Sequence, residues 1–177
     1  RRPGLEFIAY ARTPAAGATN YEGRQTTKLF PFVYSTGEAY VLEFMVGDAA
    51  TVDATVRPFF NGSTILDDDD DEVIAVDATT STFKKYQVPS DAAQSADVLF
   101  LAFQNVQQRK ITRVSHNEWT YTAPTFVSAP SVWGDAYYKD GVQYAGYPSC
   151  LCFSNERLCY SGQWSAPQTI WMSKVGV

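Results

Sequence analysis

The sequence predicts an all-β protein, a β-sandwich of the jelly-roll type with a C-terminal extension. Apolar and polar residues alternate with a period of two through most of the chain, whereas the helical period of 3.6 is almost absent. About eight short strand-like segments precede residue 123 at fairly regular spacing, and turn residues separate them. This rhythm is typical of β-sandwiches and barrels.

The apolar runs define the predicted strands. In order, they are Leu5–Ala11, Leu29–Tyr34, Tyr40–Val46, Thr51–Phe60, Ser63–Leu66, Val73–Val76, Thr82–Val88, Val98–Phe103 and Ile111–Thr122. Both faces of the third run are largely apolar, so we expect it to be mostly buried, with the carboxylate of Glu43 needing a partner. Val98–Phe103 is apolar on both faces, which predicts a place in the middle of a packed sheet.

Turn residues fix the connections between these strands. Asn61-Gly62 predicts a type I′ hairpin, because this turn requires two positive φ values. Pro58 lacks an amide hydrogen, which places its strand at a sheet edge or beside a bulge. Ser90–Ala96 is interpreted as one helical turn capped by Ser90.

A change in composition near Ala123 divides the chain. Nine of the eleven Phe residues precede it, whereas all four Trp and six of the eleven Tyr residues lie from Trp119 onward. Phe favours the hydrophobic core, while Trp and Tyr favour surfaces that are partly exposed to water. We therefore expect a sandwich domain over residues 1–124. Residues 125–177 are expected to form a hairpin and loop extension on the sandwich or on a neighbouring subunit.

The layout of residues 38–122 resembles the jelly-roll carbohydrate-binding modules of secreted polysaccharide-degrading enzymes. The segments that match this family's strands are Tyr40–Phe44, Thr82–Pro89, Val98–Phe103 and Ile111–Ser115. The same layout is similar to that of decoration, spike and receptor-binding domains of bacteriophage particles. The resemblance implies a binding or display role, extracellular or on a virion surface, and residues 125–177 have no counterpart in the pattern.

The charge distribution argues against nucleic acid as a partner. The net charge is −5, but Asp67–Glu72 supply six acidic residues, so the remainder is near +1 (−5 + 6). No basic stripe is present to displace counterions from a phosphate backbone. No apolar stretch approaches the roughly 18 residues of a membrane span. A nearly neutral, aromatic-rich body suits uncharged ligands or other protein surfaces.

Aromatic residues of the C-terminal region are candidates for stacking against sugar rings. The candidate ligand-binding residues are Trp119, Tyr121, Trp133, Tyr137, Tyr138, Tyr144 and Trp164, with Asn117 and Arg24 as polar partners. The alternative is that these rings pack on the sandwich or on another subunit, since Trp and Tyr are also enriched at interfaces.

Three cysteines lie within ten residues. A hairpin turning at Asn155-Glu156 would place Cys152 opposite Cys159, which makes a disulfide between them geometrically plausible. Cys150 would then oppose Ser161 and be free or bond to another molecule. The alternatives are a zinc site formed with His116, and three free thiols.

Other chemistry has few candidates. Asp67, Asp69 and Asp71 are a weak candidate for binding Ca²⁺, but the run contains no Gly and is better explained as a solvated, self-repelling loop. His116 is the only histidine and has no nucleophile-elbow glycines around it. No spacing places two carboxylates at a working separation for glycoside hydrolysis. We therefore expect no enzyme activity and no required cofactor.

These observations favour a non-catalytic recognition or display module that binds a glycan by aromatic stacking. The alternative is a self-associating structural subunit, such as a virion decoration, spike or fibre protein, whose extension contacts neighbouring copies. Its partners would be other copies or capsid and fibre proteins, and we expect a homo-oligomer. A third interpretation is an accessory domain of a polysaccharide-degrading enzyme.

Overall fold

The described part of the chain consists of antiparallel strands. The structure is a computed structural model, and it describes residues 27–45, 55–66, 69, 89–104 and 106–174. These ranges contain no helix, and therefore none that could span a membrane. Their strands are β1 (Thr27–Val33), β2 (Ala39–Met45), β3 (Thr55–Phe60), β4 (Ser63–Thr64), β5 (Asp91–Ser95), β6 (Val98–Ala102), β7 (Arg109–Arg113), β8 (Trp119–Thr122), β9 (Asp135–Lys139), β10 (Val142–Gly146), β11 (Cys150–Ser154), β12 (Arg157–Ser161) and β13 (Trp171–Met172). The predicted all-β sandwich class is confirmed.

The strands form three sheets and one separate hairpin. The first sheet has the order β1-β2-β3-β4, the central sheet β5-β6-β7-β8 and the outer sheet β11-β12-β13, while β9 and β10 pair alone. Within the described residues, strands pair only with neighbours in sequence, and no Greek-key crossing occurs. The jelly-roll connectivity therefore stays a prediction. The predicted strands Leu5–Ala11, Val73–Val76 and Thr82–Val88 lie outside the described residues.

Two-residue turns set the register of the hairpins as the sequence predicts. Asn61 and Gly62 have φ values of 49° and 78°, and Phe60 pairs with Ser63 across the turn. Asn155 and Glu156 have φ values of 48° and 61° between β11 and β12. Both are the paired positive values of a type I′ turn.

Pro58 and Glu43 occupy the special places that their chemistry requires. Pro58 pairs with Leu42 of β2, whereas β4 reaches only the last two residues of β3, so Pro58 sits at an edge on that side. Glu43 lies directly opposite Arg57, and its Oε2 accepts hydrogen bonds from Nε and Nη2 of Arg57 at 2.9 and 2.8 Å. Both side chains are buried, so the carboxylate has found its partner on the next strand.

The main core fills the space between the first and central sheets. Phe32, Leu42, Leu101 and Ile111 are fully buried there. Edge-to-face contacts join the rings, as between Phe32 and Trp119 at 5.1 Å. Alternation along the strands points the odd residues of β6 into this core.

A second core covers the opposite face of the central sheet. Phe100 and Ala102 of β6 contact a cluster that the outer sheet and the preceding loop supply. Its members from residues 125–174 are Phe126, Trp133, Leu151, Phe153, Leu158, Tyr160 and Trp171. The fold therefore has three layers, and β6 is buried on both faces in the interior of the central sheet, as its sequence predicts.

The helical turn predicted at Ser90–Ala96 is wrong. Asp91–Ser95 forms β5 and pairs with β6 from Asp91–Ala102 to Ser95–Val98. Pairing beside a fully apolar strand outweighs the weak capping signal of Ser90, because a four-residue helix buries little. The hydroxyl of Ser90 instead lies within hydrogen-bond reach of the carbonyl oxygens of Ala102 and Ser149, and it can donate its one hydrogen to either of them.

His116 has a structural position at one end of the sandwich. Nε of Arg113 donates to the Tyr40 hydroxyl at 3.1 Å, and this hydroxyl hydrogen-bonds Nδ1 of His116 at 2.9 Å. The His116 ring also contacts the edge of Phe60. These contacts join β2 and the end of β3 to β7 and the β7–β8 turn, and they fix the imidazole beside aromatic rings.

The second core predicts a large effect of Phe100→Ala. We expect this change to lower the free energy of unfolding by about 3–5 kcal/mol, because the surrounding rings cannot fill the cavity. Val114→Ala, at an exposed turn position, should change it by less than about 0.5 kcal/mol. Urea unfolding measures both. Equal effects of the two changes would mean that Phe100 is not held in a packed core.

Candidate functional site

The β9–β10 hairpin arranges aromatic residues on one face. Asp140 and Gly141, with φ values of 53° and 78°, form its turn, and Tyr137 pairs with Tyr144. Directly paired residues point to the same side of an antiparallel ladder. The two rings accordingly stack at 5.5 Å between centroids with an interplanar angle of 29°.

Trp164 extends this stack outward. Its ring lies 4.9 Å from that of Tyr137 at an angle of 18°, in a stacked geometry. Tyr137 is buried, with 6% of its surface exposed, whereas Trp164 is 54% exposed. Burial, and secondarily the neighbouring Tyr144, raises the pKa of the Tyr137 hydroxyl, which therefore stays protonated at neutral pH. We call Tyr137, Tyr144 and Trp164 the aromatic platform.

Gln163 holds the platform in place. Its buried amide donates from Nε2 to the carbonyl oxygens of Val132 (2.8 Å) and Gly146 (3.3 Å). Its Oε1 accepts hydrogen bonds from the Ser165 hydroxyl (2.8 Å) and the Ala166 amide (2.9 Å). One side chain thus ties the Trp164 loop to the end of β10.

Gln163→Ala should release Trp164 from Tyr137. The change removes the hydrogen bonds of a buried side chain, while the carbonyl oxygens of Val132 and Gly146 and the Ala166 amide keep backbone partners, so we expect a loss of roughly 1–2 kcal/mol in the free energy of unfolding. Near-ultraviolet circular dichroism of the folded variant should show weaker ring coupling. Gln168→Ala, an exposed position in the same segment, is the matched control. An unchanged spectrum in Gln163→Ala would show that the loop holds its position without this amide.

The structure places three of the candidate ligand-binding rings in the cores. Trp119 is only 8% exposed, and its Nε1 donates to the His116 carbonyl oxygen. Tyr121 packs against the same main core, and Trp133 packs in the second core against Tyr160 and Trp171. Because other rings enclose Trp119, this residue offers no open face to a sugar, which corrects the expectation for it, whereas Tyr121 and Trp133 are only half-buried.

The remaining candidates are dispersed. Tyr138 is exposed on the opposite face of the hairpin from Tyr137, and its hydroxyl donates to Gln143. Asn117 lies in the β7–β8 turn, where its Oδ1 accepts from the Ser115 hydroxyl. Arg24 lies outside the described residues. Tyr137, Tyr144 and Trp164 are therefore the candidates that the fold brings together.

Sequence reasoning missed the role of Gln163. A single glutamine carries no spacing signal, and only the fold brings the ends of β9 and β10 within its reach. Asp140-Gly141, in contrast, is a recognisable type I′ turn pair that could have predicted the hairpin and the pairing of Tyr137 with Tyr144.

A groove of about 530 Å³ runs along the second core. Phe126, Trp133, Tyr160 and Trp171 are among its lining residues, and Lys174 lies at its rim. Tyr160 is nearly fully buried, and its hydroxyl has no hydrogen-bond partner within the described residues. Burial strongly raises the pKa of this hydroxyl.

Tyr160→Phe should leave stability at pH 7 unchanged or slightly higher, because it removes a polar group that makes no hydrogen bond. The wild type should lose stability relative to this variant as the pH rises above about 10, where the unfolded chain releases the Tyr160 proton and the folded protein retains it. Urea unfolding at both ends of this pH range measures the difference. A loss above about 1 kcal/mol at neutral pH would instead indicate a partner for the hydroxyl.

The metal candidates find little support in the geometry. No group of three or more His, Cys, Asp or Glu side chains in the described ranges could hold a metal ion. His116 contacts Tyr40 and Phe60, while the cysteines lie in the outer sheet. Asp69 is exposed, and Asp67 and Asp71 lie outside the described residues.

Comparisons of this chain with protein-family models, curated proteins and solved structures find no match.

Proposed function

We propose that the protein is a non-catalytic recognition module that binds an uncharged glycan on the aromatic platform. The observation that carries this proposal is the exposed Trp164 ring, which stacks on the buried Tyr137. Tyr137 covers one face of the indole, and no second ring contact of Trp164 occurs within residues 27–174 as far as they are described. A sugar ring could lie with its C–H groups on the outer face.

Rigidity supports a binding role for this surface. An aromatic side chain held by a buried neighbour has little conformational entropy to lose when a ligand binds. The hydrogen bonds of the Gln163 side chain fix the Trp164 loop, and the stacking of Tyr137 on Tyr144 fixes the β9–β10 hairpin. The platform is thus arranged before a ligand arrives.

The charge distribution agrees with a neutral ligand. Outside Asp67–Glu72 the formal charge is near +1, so long-range attraction contributes little to binding. Affinity for a neutral oligosaccharide should therefore vary little with salt concentration.

The proposed location of the protein is outside a cell or on a virion surface.

The test is a glycan array followed by calorimetry with the neutral oligosaccharide that binds best. Trp164→Ala should weaken binding about tenfold or more, because the change removes the stacking surface. Trp164→Phe should retain part of the affinity. Tyr138→Ala, on the other face of the same hairpin, should change affinity by less than about twofold. Equal affinities of the wild type and Trp164→Ala, or no binding to any neutral glycan, would overturn the proposal.

A second proposed function is that of a self-associating structural subunit. Its supporting observation is a set of exposed apolar side chains in the extension, namely Val127, Ile170 and Met172. Light scattering of the untagged chain, with and without reductant, distinguishes the two functions. A monomer in both conditions favours the recognition module, whereas a closed oligomer or polymer favours the structural subunit.

A further inference from the structure

Two of the three cysteines face each other across the β11–β12 hairpin. Cys152 pairs directly with Cys159, and Cys150 pairs with Ser161. Directly opposed residues have Cα atoms about 4.5–5.5 Å apart, within the disulfide range of about 4.4–6.8 Å. All three cysteines are thiols in the structure, and those of Cys152 and Cys159 are in hydrogen-bond contact. The predicted register is confirmed, and the predicted disulfide is not formed.

The two thiols differ in their access to solvent. Cys152 is exposed, whereas Cys159 is buried and its Sγ lies 3.6 Å from the carbonyl oxygen of Arg157. Both cysteines line a cavity of about 240 Å³, beside Asp91 of β5 and next to Leu151 and Tyr160. A dissolved reagent can therefore react directly with Cys152. Cys159 reacts only afterwards, with a group that is already attached to Cys152.

We propose that Cys152 is a site of thiol modification by small disulfides, and that Cys159 resolves the product into a reversible Cys152–Cys159 disulfide. Cys150 takes no part, because its cross-strand partner is a serine. The pair would make the outer sheet sensitive to the redox state of its surroundings. This inference is independent of the proposed function.

The reaction balances with glutathione disulfide as the oxidant. The Cys152 thiolate attacks one sulfur of glutathione disulfide, the sulfur–sulfur bond breaks, and one glutathione thiolate leaves. The Cys159 thiolate then attacks the Cys152 sulfur of this mixed disulfide, and the second glutathione leaves. The two protein thiols are oxidised, the reagent is reduced to two glutathione molecules, and these take up the two thiol protons.

The surroundings of Cys152 set the pH dependence of the first step. Partial desolvation by the surrounding residues, then the neighbouring Cys159 and the carboxylate of Asp91, raise the pKa of the exposed Cys152 thiol. Because only the thiolate attacks, the reaction should be slow at neutral pH and accelerate as the pH rises. Asp91, Cys150, Cys159 and Tyr160 are the other titratable groups that line this cavity, and Arg157 lies two residues before Cys159 on β12.

The experiment incubates the reduced full chain with glutathione disulfide and follows intact mass and peptide maps. Peptide maps of the wild type should show Cys152 linked to Cys159, a loss of two hydrogens from this pair, and Cys150→Ser removes the other exposed thiol that glutathione can reach. Cys159→Ser should accumulate one glutathione on Cys152, since no thiol resolves the mixed disulfide. Cys152→Ser should show no glutathione on Cys159, and Cys150→Ser should behave as the wild type.

Several outcomes would overturn this assignment. They are a wild-type chain that stays reduced in excess oxidant at alkaline pH, a disulfide that includes Cys150, and glutathione on Cys159 in the Cys152→Ser variant. Circular dichroism checks that each variant is folded. If Cys159→Ser is not, Cys159→Ala serves the same purpose, and failure of this folded variant to trap glutathione also contradicts the proposal.

Discussion

The side chains of β6 point alternately into two cores, and this double burial holds the three layers together. Leu99 and Leu101 pack toward the first sheet, while Phe100 and Ala102 pack toward the outer sheet. A strand that is apolar on both faces is stable only when both faces are covered, because each exposed large side chain would cost roughly 1.5–3 kcal/mol. Residues 125–174 therefore complete the fold by covering the second face.

The aromatic platform depends on the same arrangement. The Trp164 loop follows β12, whose Leu158 and Tyr160 belong to the second core. Gln163 then links this loop to β10 and to the segment before β9. The outer sheet thus positions the platform, and a Trp164 ring without that support would lose its alignment on Tyr137. The cysteine pair lies on the β11–β12 hairpin of the same sheet.

Local patterns in the sequence predict much of this structure, and long-range packing explains what they miss. Asn61-Gly62 and Asn155-Glu156 determine their hairpins through the φ values of a few residues, so the opposition of Cys152 and Cys159 could be predicted. Ser90–Ala96 was open to misinterpretation, because its strand forms only beside β6. Trp119 is buried despite the usual preference of Trp for partly exposed surfaces, since aromatic neighbours from distant segments enclose it. Composition cannot distinguish an enclosed ring from an open one.

Hydrogen exchange of β6 in the full chain, and in a chain ending at residue 124, tests the central claim most directly. In the full chain, the amides of Leu99–Ala102 should exchange slowly and only through global unfolding. In the shortened chain, the uncovered Phe100 face should abolish this protection or the cooperative fold itself. Equal protection of these amides in both chains would contradict the account, because it would show that the first and central sheets form a stable sandwich without residues 125–174.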